Sequence, residues 1–300
     1  MSERVLLIGA TGFIGSHCLD RLIAYGCEVH AISRVKQENR NGVVWHHGDL
    51  LIDGTITEII QKVKPSYLLN FGWEARPGIY WNSKDNFLWV SAGIEILQAF
   101  VENGGSRIVM AGTCAEYSWS DGICSEYSTP KDPSTLYGEC KNILQQILQS
   151  YSKRYGISCA WGRIFYLFGD REHHSRLVPS VARSLLNNEV ARCTDGKQIR
   201  DFLYVKDVAA AFCKLLFSDL DGPINIASGK PTTVSEVVTT IARLLNRTEL
   251  LRLGEIPTPT SEPAAIIADV TRLNEELCWR PDFELEAGIY HTINWWQNSK

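Results

Sequence analysis

The sequence predicts an α/β protein: a doubly wound parallel sheet joined to a smaller mixed α/β C-terminal domain. Three observations predict it. Short apolar runs closed by glycine or a polar residue alternate with amphipathic stretches of 3.6-residue period through the first half, the pattern of parallel strands crossed by helices. The first apolar run passes directly into three glycines spaced three apart and then into an amphipathic stretch, which reads as strand, tight turn and helix. The chain has 300 residues, 45% hydrophobic and 21% charged, enough for one large core or two unequal ones, and no internal repeat interrupts it.

Arg4–Ile8 is the first strand. Gly9 permits the turn, Gly12 lets a diphosphate approach the backbone, and Gly15 lets the next helix, 16–25, pack against the strand. The free N–H groups and positive end of that helix favour phosphates, so Gly9-Ala10-Thr11-Gly12-Phe13-Ile14-Gly15 is the candidate nucleotide loop of a Rossmann-type domain. A purely structural turn is the alternative. The next strand, 28–32, ends in Ser33-Arg34, where NAD-selective folds usually carry an acidic residue. Serine and arginine donate hydrogen bonds and positive charge to a 2′-phosphate, which a carboxylate would repel. The cofactor expected is therefore NADP (as NADPH), with NAD as the alternative, unless Arg34 is only a surface arginine on a loop.

Val43-Val44-Trp45 leads to Gly48-Asp49-Leu50, a strand end where Asp49 and Leu50 would meet the adenine. Residues 65–70 read as the next parallel strand and Phe71-Gly72-Trp73 as the turn passing the cofactor. A long helix over 83–103 and a buried strand at 106–110 follow. Thr113 emerges at the end of that strand, on the same sheet edge as the glycine loop. Its hydroxyl is placed either to bond a substrate oxygen or to cap a turn.

The run 135–154 reads as a helix through Leu136, Ile143, Leu144, Ile147, Leu148 and Tyr151. Its four-residue spacing stacks Tyr137 and Lys141 on one face. A phenol ionises near pH 10 alone, and a nearby cation favours the phenolate, bringing it towards the range of a general acid/base. A helical pair on a solvated face is the alternative. Further on, 232–245 and 284–296 read as helices, 250–253 as a strand, and the proline-rich stretch 257–263 as the rim of the smaller domain.

Composition narrows the partners. The net charge of −4 and the scattered Lys and Arg, without a polybasic run, argue against nucleic acid. No run is long enough to span a membrane, and the N-terminus lacks the pattern of a signal peptide. Nine cysteines, an odd number without a C-x-x-C pair, indicate reduced and mostly buried thiols in cytoplasm, and no metal site is expected.

With the glycine loop, Thr113, Tyr137 and Lys141 in this order, the chain resembles the extended short-chain dehydrogenase/reductase family, in particular its sugar-nucleotide epimerases, dehydratases and reductases. Trp161-Gly162-Arg163 with the loop to Gly169, Arg176-Leu177-Val178-Pro179, the run from Ile199 to Val208, Asn225 to Gly229, and Cys278-Trp279-Arg280-Pro281 extend the resemblance over the whole chain. It implies that Tyr137 is the acid/base, that Lys141 binds the nicotinamide ribose and lowers the tyrosine pKa, and that Thr113 orients the sugar. It also implies that Arg200 grips the nucleotide diphosphate, the alternative being a salt bridge to Asp201 or Asp207. Asp201, Asp207, Asn225 and Trp279 read as structural. The resemblance suggests a homodimer through the helices near 90–103 and 135–154.

The departures carry information. Dehydratases of the family hold an Asp-Glu pair after the threonine, and this chain has Cys114 and Ala115, which argues against dehydration. The family's asparagine after the arginine strand is Tyr166 here. Ser33-Arg34 favours an NADPH-dependent reductase of a nucleotide-linked 4-keto-6-deoxyhexose. The alternatives are an NAD(P)-dependent nucleotide-sugar epimerase and a non-catalytic NADP-binding regulator. His173 and His174 stand either as a second proton donor or as a polar surface loop. The expected partition is 1–165 plus about 197–224 for the NADP-binding domain, and about 166–196 plus 225–300 for the substrate cap.

Overall fold

The architecture follows from one strand whose side chains point to opposite faces. In the computed structural model, which describes residues 3–38, 40–119, 122–260 and 262–299, β1 (Arg4–Ile8) sends Val5 and Leu7 to one face and Leu6 and Ile8 to the other, all four fully buried. Both faces therefore need cover. Along the chain follow α1 (Gly15–Ala24), β2 (Glu28–Ser33), β3 (Val43–His47), α2 (Thr55–Val63), β4 (Tyr67–Asn70), α3 (Asp85–Glu102) and β5 (Arg107–Thr113). Next come β6 (Ile123–Cys124), α4 (Leu136–Tyr155), β7 (Ser158–Ile164), β8 (Tyr166–Phe168), α5 (Leu177–Leu186), β9 (Ala191–Arg192) and β10 (Ile199–Tyr204). The chain ends through α6 (Val205–Leu216), β11 (Gly222–Ile226), β12 (Pro231–Thr233), α7 (Val234–Leu244), β13 (Leu251–Arg252), β14 (Ala265–Ala268) and α8 (Leu285–Asn298).

Seven strands form one parallel sheet in the order β11-β7-β5-β4-β1-β2-β3. Helices α1 and α6 cover one face through Cys18, Leu22, Phe212 and Leu215; α2, α3 and α4 cover the other through Ile56, Ile60, Phe100 and Leu144. Each fully buried aliphatic side chain contributes about 2 kcal/mol. The strand order reverses between β1 and β4, which opens a crevice at their carboxyl ends.

A second sheet, β12-β10-β14-β6 with β8 also on β10, lies beyond that edge. Helices α5, α7 and α8 enclose their own core of Val181, Leu185, Val237, Ile241, Ile289 and Ile293. The expected partition needs correction here. Residues 199–204, expected in the cofactor domain, belong to the second sheet, and Asn225 and Ile226, expected in the cap, complete the seventh strand of the first. Asp201 ties these parts together by accepting from Ser228 N (2.7 Å), Gly229 N (2.9 Å) and Ala268 N (3.3 Å). Asp207 accepts from Asp282 N and Phe283 N, each at 3.1 Å, and Trp279 packs into the first core.

Seven of the nine cysteines are buried, Cys27 is half-buried and Cys278 is exposed. Among the described residues no helix is long and apolar enough to cross a membrane. Of the segments read from the sequence, Met1, Ser2 and Ser261 of the proline-rich stretch lie outside the described residues.

Candidate active site

The glycine loop is shaped by contact rather than by flexibility. Gly9 has φ +79, and a Cβ there would lie 3.0 Å from the Phe71 carbonyl carbon. A Cβ on Gly15 would lie 2.3 Å from the Gly9 oxygen, so the helix can meet the strand only through glycine. A Cβ on Gly12 would meet only the Gly9 oxygen, at 3.1 Å. Ile14 at the N-cap of α1 supplies no side-chain hydrogen bond, and the first turn holds no acidic residue. Those features leave the positive helix end open to an anion and fit the diphosphate of a dinucleotide.

A cleft of about 610 Å³ runs from this loop to the second sheet. At the loop end it is bordered by Gly9, Thr11, Gly12, Phe13, Ile14 and Gly15, then by Ser33, Arg34, Asp49 and Leu50. Phe71 and Gly72 border its middle, followed by Thr113 and Tyr137, and Arg200 stands at the far end. Ser33 is buried and its hydroxyl accepts from Val35 N and Gln37 Nε2, each at 3.2 Å, whereas Arg34 is exposed. Asp49 accepts from Leu51 N at 3.1 Å.

Thr113 and Tyr137 meet because two elements are forced close. Thr113 is the last residue of β5 and caps the following short 3-10 helix, its Oγ1 accepting from Ala115 N at 3.2 Å. Helix α4 begins at Thr135, whose hydroxyl accepts from Gly138 N at 3.1 Å. A Cβ on Gly138 would lie 2.3 Å from the Ala115 oxygen, so this glycine lets α4 start against the Thr113 turn. Tyr137 and Thr113 thereby line the same stretch of the cleft, and the nearby threonine hydroxyl favours the phenolate. Thr113 therefore caps a turn, at a position that also lines the cleft.

Burial outweighs the neighbouring groups at Tyr137. It pushes the phenol well above its ordinary value, nearby Tyr80 adds to this, and the Thr113 hydroxyl opposes it. Lys141 is buried outside the cleft, where its ammonium donates to the Ala111 carbonyl at 2.8 Å and lies 4.0 Å from the centre of the Trp73 ring. Burial lowers it to about 7, against a smaller opposing pull from Glu116. Trp73, expected in the turn passing the cofactor, covers the lysine. Its indole donates to Asn86 Oδ1 at 2.9 Å and stands edge-on to Tyr137 at 6.1 Å, so it separates the lysine from the cleft. Tyr80 and Trp81 also stand edge-on to Tyr137, at 4.8 and 5.8 Å. These rings lie in the loop between β4 and α3, and their packing on Tyr137 was not legible in the spacing.

Arg200 lines the cleft, and its ion pair is not the one expected with Asp201 or Asp207. Its guanidinium pairs with Glu262, donates to the Ile199 carbonyl at 2.8 Å and lies 5.3 Å from the Tyr166 ring centre. Neither Asp201 nor Asp207 pairs with it, because both are committed to backbone amides. It therefore borders the substrate end of the cleft as a neutralised cation. His173 and His174 stack at 4.4 Å on the exposed loop after β8, and His173 reaches the cleft.

A parallel sheet with a glycine loop at its switch point and a Tyr–Thr pair at the neighbouring strand end defines an NAD-dependent oxidoreductase of the extended short-chain type. The chain belongs to the NAD dependent epimerase/dehydratase family, whose model matches residues 5–227. It is 23% identical to a UDP-glucose 4-epimerase of Rhizobium meliloti, with 98% of this chain and 97% of that protein covered. It is 24% identical to UDP-glucuronic acid decarboxylase 1 of Danio rerio, with 98% of this chain and 72% of that protein covered. Among solved structures, the Thermus thermophilus UDP-glucose 4-epimerase in complex with NAD shares its fold with a TM-score of 0.85 and 24% identity, over 99% of this chain and 100% of that one. These relatives favour the epimerase alternative over the keto-sugar reductase expected first.

Proposed function

We propose that the enzyme moves hydride to and from a ring carbon of a nucleotide-linked hexose, as a 4-epimerase does. The observation that carries this is that Thr113 and Tyr137 line the same cleft as a glycine loop fitted to a dinucleotide. A bound nicotinamide supplies the hydride acceptor and donor. Thr113 holds the sugar oxygen, and Tyr137 takes and returns its proton. Lys141, four residues on in the same helix, is the cation whose charge favours the phenolate. The aromatic wall of Tyr80, Trp81 and Trp73 offers apolar faces to the sugar ring and keeps water from the reacting carbon.

The test is to incubate the purified protein, supplied with NAD, with UDP-glucose and other nucleotide hexoses and to resolve the epimers. Interconversion without net loss of reduced cofactor supports the reading, and absence of any epimer overturns it.

A second reading, reduction of a nucleotide-linked 4-keto-6-deoxyhexose by NADPH, is favoured by Ser33-Arg34 and by a Tyr137 phenol held in its proton-donating form. It predicts stoichiometric loss of NADPH absorbance with such a sugar. Replacing Arg34→Asp should then shift preference towards NADH by about 10-fold or more. We also propose a homodimer through α3 and α4, which leave Phe87, Leu88 and Ile143 exposed. Sedimentation equilibrium giving only monomer would refute it.

A further inference from the structure

The Thr113–Tyr137 arrangement requires the end of β5 to be held in place, and a buried carboxylate holds it. Glu116 is fully buried. Its Oε1 accepts from the Thr113 backbone N–H and from Trp161 Nε1, both at 2.9 Å, and its Oε2 accepts from Arg163 Nε at 2.7 Å. Gly112, directly before Thr113, makes the room: a Cβ there would lie 2.0 Å from Trp161 Nε1 and 2.7 Å from Glu116 Oε1. Arg163 is held in turn by the Tyr117 hydroxyl at 3.3 Å, and that hydroxyl donates to Asn225 Oδ1 at 2.7 Å. Three parallel strands are thereby locked together at the carboxyl edge where the cleft lies. A buried ion pair gains little over well-packed apolar side chains, so stability alone does not account for it.

We propose that Glu116 is a positioning residue for the reaction, fixing the point at which the Thr113 hydroxyl and the Tyr137 phenol meet the substrate oxygen. The assignment rests on reading Tyr137 and Thr113 as the reacting pair. The carboxylate acts by direction and by charge. It orients the Thr113 peptide from behind the strand, leaving the threonine hydroxyl for the cleft. It is also a fixed negative charge facing both members of the Tyr-x-x-x-Lys pair, where it favours the protonated phenol and the charged ammonium. The other groups around the phenol are Tyr80 from the aromatic loop, with Arg176 beyond it, Cys114 from the 3-10 helix and Lys141 on its own helix.

The test compares Glu116→Gln, which keeps an acceptor for the Thr113 N–H and removes the charge, with Glu116→Ala, which removes both. Glu116→Ala is expected to lower kcat about 100-fold with KM within about twofold, and Glu116→Gln to recover part of the loss. Where either single variant fails to fold beside an unpaired Arg163, E116Q/R163M and E116A/R163M carry the same comparison. In Glu116→Gln the Tyr137 phenol should also ionise at lower pH, read by ultraviolet absorbance against the same protein carrying Tyr137→Phe. That titration needs no substrate. Unchanged kcat in the alanine variant, or a fall in kcat accompanied by a rise in KM and a lower unfolding midpoint, overturns the assignment. If the wild type turns over no nucleotide sugar, the proposed function fails, and an unmoved phenol then overturns the positioning role separately.

Discussion

At the residue scale, Tyr137 is the test of the chemistry. Tyr137→Phe removes one oxygen from an otherwise aromatic environment, so turnover should fall by about 10²- to 10⁴-fold while cofactor affinity, measured by fluorescence quenching, stays near wild type. Lys141 tests burial. Its folded value of about 7 lies below the 10.5 of an exposed lysine, so between these values the unfolded chain binds more protons and stability rises with pH. That shift amounts to up to about 5 kcal/mol, offset by about 2 kcal/mol from a desolvated contact with the Trp73 ring. Lys141→Met should therefore raise the unfolding midpoint most at pH 6 to 7 and little above pH 10, as thermal denaturation across pH would show. Tyr137, Thr113 and the glycines were legible because their spacing is itself the geometry. The cover on Lys141 was not, since a ring and a cation from different elements meet only once the loop after β4 has folded.

At the scale of elements, the approach of α4 to the end of β5 depends on one missing side chain. Gly138→Ala places a methyl against the Ala115 carbonyl, which must move. We expect a loss of about 1–3 kcal/mol in chemical denaturation and a fall in kcat of about 100-fold, since the shift acts on the Thr113–Tyr137 distance. The strand and helix order was readable from periodicity, and the boundaries of β1, α3 and α4 fall within two residues of those expected. The partners of β10 and β11 were not readable. Each is a short run beside a helix, and which sheet it joins is decided by hydrogen bonds to residues distant in sequence, with β14 for one and β7 for the other.

At the scale of the whole molecule, Asp201 joins the second sheet to the turn after the first. Asp201→Ala leaves the amides of Ser228, Gly229 and Ala268 without their acceptor and should cost roughly 3–5 kcal/mol in a denaturant titration. The family resemblance placed this residue as structural, but the Glu262 partner of the neighbouring Arg200, from the proline-rich rim, was not legible in the spacing. The distribution of sulfur has a practical consequence. Burial raises the thiols of Cys18, Cys114, Cys140, Cys159 and Cys193, whereas Cys278 is exposed and lies outside the cleft. A maleimide dye given to the native protein should thus attach at Cys278 well ahead of the other positions, providing a fluorescent reporter beside the end of α6 without removing a single native cysteine.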